Sequence, residues 1–75
     1  MTLDEFVNAF AAEFDETPEE QFKADTEYKS LEEWSSLTAL SIIALAMEDF
    51  GKKITGADLR SCSTIEDLYN LIQNK

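Results

Sequence analysis

Apolar residues recur every three or four positions in the first fourteen residues of the chain. Thr2 and Glu5 open this run with the spacing of a capping box, in which each side chain accepts a hydrogen bond from the other residue's backbone amide. Apolar positions at this spacing share one face of an α-helix. We therefore predict a first helix to about residue 14, whose core face comprises Leu3, Phe6, Val7, Phe10 and Phe14.

The helical periodicity lapses between residues 15 and 35, where acidic residues accumulate. A connection of about twenty residues is long for a small domain, so it requires internal order and attachment to the core. Thr17-Pro18-Glu19-Glu20 has the spacing of a second capping box, with proline at the first helical position, and predicts a short helical turn around residues 17 to 23. The predicted attachment points are the large apolar side chains Phe22, Tyr28, Leu31 and Trp34.

A second main helix is predicted from the serine pair Ser35 and Ser36 to Phe50, with Gly51 in the left-handed conformation that ends many helices. This helix has two apolar faces. The predicted core face comprises Ala39, Ile42, Ile43, Ala46 and Phe50, with Met47 at its edge. The second face comprises Leu37, Leu40, Ser41, Ala44 and Glu48. One small core cannot easily absorb both faces, so the second is a candidate surface for partners; the alternative is that its leucines help to fill the bundle.

Two further helices are predicted after Gly51. A short one runs from Thr55 or Gly56 to Arg60, and a final one begins at a capping box formed by Ser63 and Glu66. The apolar stripe of the final helix comprises Ile65, Leu68, Tyr69, Leu71 and Ile72. Since no segment has a strand pattern, we predict an all-α fold: a three- to four-helix bundle with a long first loop, in one domain spanning residues 1 to 75.

The acidic composition narrows the classes of partner. Sixteen Asp and Glu against six Lys and Arg give a formal net charge of −10. Such a surface repels phosphate backbones and anionic membranes, so we expect no nucleic-acid binding. A partner with a basic surface is expected if the acidity serves recognition; the alternative is that the acidity only confers solubility.

Missing residue types argue against catalysis and metal binding. The chain has no histidine, so it cannot assemble a Ser/His/Asp or Cys/His nucleophile or a zinc site with histidine ligands. Its two glycines cannot form a phosphate-binding glycine loop, and its acids lack the spacing of a calcium loop. We therefore predict that the protein is not an enzyme and holds no metal ion.

The sequence also bears on location and assembly. No apolar run approaches the roughly 20 residues that span a bilayer, and the N-terminal residues lack the basic start of a secretory signal. The single cysteine, Cys62, suits a reducing compartment. We expect a cytoplasmic protein without a membrane span, and a monomer because the net charge disfavours self-association.

The two serines allow two interpretations. Serine is among the best N-cap residues, so the pair needs no purpose beyond starting the helix. However, the second apolar face begins beside Ser36, Glu48 lies on the same face, and the unpaired amides of a helix start favour an anion. A phosphate ester on Ser36 would be stabilised there.

The sequence resembles the acyl carrier proteins over nearly its whole length, most strongly over residues 30 to 72. The resemblance is carried by Trp34-Ser-Ser-Leu37, by the helix that ends at Phe50-Gly51, by Ile54 and by Ser63-Thr-Ile-Glu-Asp-Leu. It implies a bundle of the acyl-carrier type in which Ser36 carries 4'-phosphopantetheine, received from coenzyme A. In that family the arm holds acyl or aminoacyl groups as thioesters, for example in fatty acid or polyketide biosynthesis.

The resemblance also implies partners and a surface that they contact. The expected partners are a phosphopantetheinyl transferase and enzymes that load or use the cargo: an acyl- or aminoacyl-loading ligase, a ketosynthase or an acyltransferase. The candidate partner-binding residues are Leu37, Leu40, Ser41, Ala44 and Glu48, with Ile54 nearby.

Two positions depart from the pattern of the family. Ser35 replaces the usual aspartate before the modified serine, and Ser41 replaces an acid that is common in the fatty-acid carriers. The first change bears on how readily Ser36 is modified, and the second points to a dedicated partner. The alternative function is an unmodified acidic adaptor, which would bind a partner protein through the second face of the same helix.

Overall fold

The computed structural model describes residues 2–75 and contains four α-helices. They are α1 (Leu3–Ala12), α2 (Ser36–Leu45), α3 (Gly56–Ser61) and α4 (Ile65–Gln73). Within these residues there is no β-strand, and no helix is long and apolar enough to cross a membrane. The predicted all-α bundle with a long first loop is therefore confirmed.

Each helix begins at a capping box, and one of these boxes differs from the prediction. α4 is capped by Thr64 and Asp67 rather than by Ser63 and Glu66. The Thr64 hydroxyl accepts from the Asp67 amide at 3.1 Å. The Asp67 carboxylate accepts from the amides of Thr64 and Ser63, at 3.1 and 3.3 Å, which lowers the pKa of that carboxyl. The Glu66 amide, which the predicted box would have used, donates to the Ala24 carbonyl oxygen at 2.9 Å instead.

The core is centred on the aromatic residues of α1. Phe6 and Phe10 are fully buried, and Phe14 is buried as predicted although α1 ends at Ala12. Other helices contribute Ile42, Leu45, Ala46, Leu59, Ile65, Leu68 and Ile72. Of the predicted core face of the second main helix, Ala39, Ile43 and Phe50 are only partly buried, while Leu45, which was not predicted, is buried.

The long first loop is attached to the core by the predicted aromatic residues. Phe22 and Tyr28 are buried, and Leu31 and Trp34 pack against the core. Two short 3₁₀ turns, Glu19–Gln21 and Tyr28–Ser30, give the loop internal order. The predicted capping box at Thr17 is wrong, because Pro18 occupies the cap position without a side-chain bond and the Thr17 hydroxyl donates to Glu33 instead.

Polar contacts attach the same loop to both C-terminal helices. The carbonyl oxygens of Ala24 and Thr26 accept from the amides of Glu66 and Ile65, at 2.9 and 3.1 Å, at the start of α4. The buried Tyr28 hydroxyl donates to the carbonyl oxygen of Leu59 in α3, and burial raises the pKa of that hydroxyl. Helix ends leave such amides and carbonyls without partners, so the loop completes the hydrogen bonding of both helices.

The Glu33 carboxylate holds the two ends of this loop together. It accepts from the amides of Asp15, Glu16 and Thr17, at 2.9, 3.0 and 2.8 Å. It also accepts from the Thr17 hydroxyl at 2.7 Å. The hydrogen bonds from these four donors lower the pKa of Glu33 below its ordinary value of 4.5, and the bond from the Thr17 hydroxyl has the largest effect. The chain just before α2 is thus fixed to the start of the loop, a few residues after α1 ends.

We expect Glu33→Gln to destabilise the fold in a pH-dependent way. Because the pKa of Glu33 is lower in the folded state than in the unfolded chain, its stabilisation is complete above its ordinary pKa of 4.5 and is lost as the pH falls through the lowered value. The unfolding temperature of the variant should therefore be lower than the control's at neutral pH, and the gap should narrow as the pH falls below 4.5. Glu32→Gln is the control, since Glu32 is an exposed neighbour and its loss changes the net charge equally. A gap that stays constant with pH would contradict the role assigned to the ionised carboxylate.

Candidate functional site

Ser35 is the N-cap of α2. Its backbone amide donates to the Thr38 hydroxyl at 2.7 Å, and its own hydroxyl accepts from the Thr38 amide at the long distance of 3.5 Å. The Thr38 hydroxyl in turn donates to the Ser35 carbonyl oxygen at 2.9 Å. The side chain at position 35 is therefore committed to starting the helix, as serine at an N-cap usually is.

Ser36 is the first residue of α2 and is exposed. Among residues 2–75, its hydroxyl makes no hydrogen bond to another side chain or to the backbone. The adjacent serines thus differ in their chemistry, because one hydroxyl caps the helix and the other is accessible for reaction. The Glu33 carboxylate, which is bonded to the segment just after α1, fixes the backbone three residues before Ser36.

The start of α2 also differs electrostatically from the other helix starts. Carboxylates occupy the first turns of α1, α3 and α4, and they are Asp4, Glu5, Asp58, Glu66 and Asp67. The first turn of α2 contains no acid, and Thr38 takes the place of the carboxylate in its capping box. The helix dipole and unpaired amides there favour a negative group. An anionic substituent on Ser36 would supply the charge that acidic side chains supply elsewhere.

The predicted second face of α2 is largely exposed. Leu37 is 76% and Leu40 61% exposed, and Ala44 and Glu48 are exposed with them. Ser41 is half-buried, and its hydroxyl donates to the Leu37 carbonyl oxygen at 3.2 Å. The alternative that the two leucines fill the bundle is therefore wrong. This outer face begins beside Ser36 and continues along the helix.

Two positions near this face differ from the sequence interpretation. Ile54 is only 2% exposed and belongs to the core, so the prediction that it contacts partners is wrong. It lies in the irregular segment after Gly51, whose φ of +65° ends the π-helical turn Ala46–Phe50 that follows α2. Met47 was predicted at the edge of the core but is 48% exposed, and it extends the outer face. Its position three residues after Ala44 was the available signal. No signal in the sequence predicted the π-helical turn Ala46–Phe50, which follows α2.

A groove of about 550 Å³ runs beside Ser36, between α2 and α3. Apolar side chains form much of its wall, and two basic side chains from other parts of the chain line it as well. The lining residues include Lys29, Ser36, Leu40, Ile43, Leu59 and Arg60. No Asp or Glu lines this groove. Sequence analysis did not find it, because its basic residues come from the loop and from α3 and have no local pattern.

These residues fit a phosphopantetheine group bound to Ser36. The hydroxyl is accessible and the first turn of α2 has no acid that would repel a phosphodiester. The neighbouring groove has a volume in the range of small-molecule sites and lacks carboxylates. By contrast, the part of the chain that the structure describes has no cluster of His, Cys, Asp and Glu able to hold a metal ion.

Comparison with known proteins identifies the class of protein. A family model described as the phosphopantetheine attachment site matches residues 4–72. The chain therefore belongs to this family, whose members carry covalently attached 4'-phosphopantetheine and act as carriers. The resemblance to acyl carrier proteins is thereby confirmed. Searches of curated proteins and of solved structures gave no significant match.

Proposed function

We propose that the protein holds acyl or aminoacyl intermediates as thioesters on a 4'-phosphopantetheine arm bound to Ser36, and presents them to partner enzymes. The observation that carries this proposal is the exposed, unpartnered Ser36 hydroxyl at the acid-free start of α2. Membership of the family favours a carrier over an unmodified adaptor. The thiol at the end of the arm supplies the thioester chemistry.

The attachment requires little of the protein itself. The Ser36 oxygen loses its proton and forms a bond to the phosphorus that bears pantetheine in coenzyme A, displacing the nucleotide portion. The proton passes to a base of the transferase, which also binds the Mg²⁺ that the step requires. What the carrier contributes is an accessible hydroxyl on a rigid helix start, held by the Ser35 cap and the Glu33 anchor.

The outer face of α2 suits brief contacts with several enzymes. Leu37, Leu40 and Met47 are the large apolar side chains that are exposed within residues 2–75, and all three lie on α2 or its terminal turn. Partners with basic rims would be attracted by the net charge of −10 and would pack on a small apolar patch. We infer that a phosphopantetheinyl transferase and the loading and acyl-transferring enzymes use this face in turn, with the carrier as a monomer in the cytoplasm.

The proposal is tested by incubating the purified protein with coenzyme A, Mg²⁺ and a phosphopantetheinyl transferase of broad specificity. Intact-mass measurement should show the gain of one phosphopantetheine, and tryptic peptides should place it on the segment that contains Ser36. No gain with several transferases would overturn the proposal and favour the adaptor. Subsequent loading by acyl and aminoacyl ligases would distinguish the two cargo classes.

A separate prediction concerns the outer face of α2. Leu37→Ala should lower kcat/KM for modification by the transferase about tenfold, because removing a central apolar contact of an interface costs about 1–2 kcal/mol. The fold should be unaffected, since the side chain is 76% exposed. Gln73→Ala, on the exposed end of α4, is the control and should be modified at the wild-type rate. Equal rates for both variants would exclude Leu37 from the contact.

A further inference from the structure

The capping box at the start of α2 is weaker than those of the other three helices. In α1, α3 and α4 the cap hydroxyl accepts a hydrogen bond from a backbone amide at 3.2, 3.2 and 3.1 Å, and a carboxylate accepts one from the cap amide in return. In α2 the Ser35 hydroxyl accepts at 3.5 Å, and the group that accepts in return is the uncharged Thr38 hydroxyl. Hydrogen bonds to a charged group are roughly twice as strong as those between neutral groups. Of the four helix starts, the one that contains Ser36 is therefore held least firmly by its own cap.

The Glu33 carboxylate, two residues before this cap, accepts the charge-assisted hydrogen bonds that the cap lacks. Its donors are the backbone amides of residues 15 to 17 and the Thr17 hydroxyl, at 2.7 to 3.0 Å. Successive backbone amides that converge on one point form a nest that binds anions. The backbone of Glu33 is joined to the cap as well, because its carbonyl oxygen accepts from the Thr38 hydroxyl at 3.5 Å. The nest and the cap thus form one hydrogen-bonded network that ends next to Ser36.

Trp34 holds the same segment by a different kind of contact. Its ring centroid lies 4.9 Å from that of Tyr28 and 6.4 Å from that of Phe10, and its amide donates to the Leu31 carbonyl oxygen at 3.0 Å. Apolar packing of this kind is not directional, so it keeps the segment against the core without fixing the orientation of the backbone that follows. Hydrogen bonds are directional, and those of Glu33 supply the orientation.

Building on the proposed attachment at Ser36, we propose that Glu33 is a positioning residue for that reaction. Its carboxylate, bound by the amides of residues 15 to 17, fixes the orientation of the Ser36 hydroxyl at the weakly capped start of α2. Loss of this anchor should slow the transfer step and leave the affinity for the transferase unchanged, because the outer face of α2 stays intact. A general loss of stability has the opposite signature, since it lowers the concentration of folded carrier and so raises the apparent KM without changing kcat.

The role of Glu33 is tested by the rate of phosphopantetheine transfer from coenzyme A, measured by rapid quench over a range of carrier concentrations at a temperature where every variant is folded. In Glu33→Gln, kcat should fall about tenfold with an unchanged KM for the carrier; misplacement by about 1 Å can cost about a hundredfold, and Trp34 limits the displacement here. Ser35→Asp places a carboxylate in the cap itself, where it can make charge-assisted bonds. Glu33→Gln should therefore cost no more than about twofold when it is made together with Ser35→Asp, because the two residues then share one task.

Two control variants separate positioning from charge and from stability. Glu32→Gln removes the same charge from an exposed neighbour, and Thr64→Ala removes the cap of α4, which destabilises the fold away from Ser36. Both should keep the wild-type kcat. If Glu33→Gln also keeps it, if Thr64→Ala loses as much, or if the loss is equally large together with Ser35→Asp, the positioning role is overturned and the carrier function stands. If the wild-type protein gains no phosphopantetheine, both are overturned.

Discussion

Ser36→Ala is expected to abolish the attachment of phosphopantetheine, whereas Ser35→Ala is expected to retain it. The reason is the different chemistry of the two hydroxyls: Ser35 caps α2 through its contacts with Thr38, and Ser36 is exposed without a partner. Alanine at position 36 removes the oxygen that forms the phosphodiester and changes little else, since alanine is the best helix former. Intact mass after incubation with coenzyme A and the transferase measures the outcome.

Ser35→Ala serves as the matched control, and its expected cost is in stability. Loss of an N-cap serine typically destabilises a protein by about 1 kcal/mol, so the unfolding temperature should fall while the mass gain persists. Ser35→Asp should restore the cap and add a carboxylate to the start of α2, where the dipole favours it. If Ser36→Ala were still modified, or if Ser35→Ala alone failed to gain the mass of phosphopantetheine, the attachment site would have been assigned to the wrong serine.

The features predicted from sequence are those with local signals. The capping box of Thr2 and Glu5 predicted the start of α1, and the serine pair predicted the start of α2. The left-handed conformation of Gly51 was predicted as well. The outer face of α2 was visible because Leu37, Leu40 and Ala44 are spaced along one side of a helix. Ser36 was identified because it lies at the predicted start of α2 and because the residues around it resemble the attachment motif of the acyl carrier proteins.

The features that could not be predicted depend on contacts between distant residues. Glu33 was treated as part of an acidic stretch, but it is the anchor of the first loop through amides sixteen to eighteen positions away. Ile54 was placed near the outer face on the basis of the family resemblance, while the chain direction set by Gly51 brings it into the core. Lys29 and Arg60 meet across 31 positions of sequence. Hydrophobic periodicity predicts the faces of a single helix, so it cannot predict contacts between residues that are far apart in the sequence.

Phe10→Ala is expected to remove a large share of the free energy of unfolding of the protein. The Phe10 ring is fully buried and lies 5.5 to 6.4 Å, between centroids, from five other aromatic rings: Phe6, Phe14, Phe22, Tyr28 and Trp34. Truncating a buried phenylalanine to alanine typically costs about 3–5 kcal/mol. At the stability per residue that is typical of folded proteins, 75 residues correspond to about 4–11 kcal/mol, so the loss is a large share of the whole.

The same substitution tests how the first loop is connected to the site. Three of the rings around Phe10 belong to that loop, including Trp34, which lies two residues before Ser36. Far-UV circular dichroism against denaturant should therefore show a large loss in Phe10→Ala and a smaller one in Phe10→Leu, which keeps part of the buried volume. Leu37→Ala, at an exposed position, should stay within about 0.5 kcal/mol of the wild type. If Phe10→Ala were as stable as Leu37→Ala, the aromatic cluster would not be what holds the loop, and the rigid placement of Ser36 would need another cause.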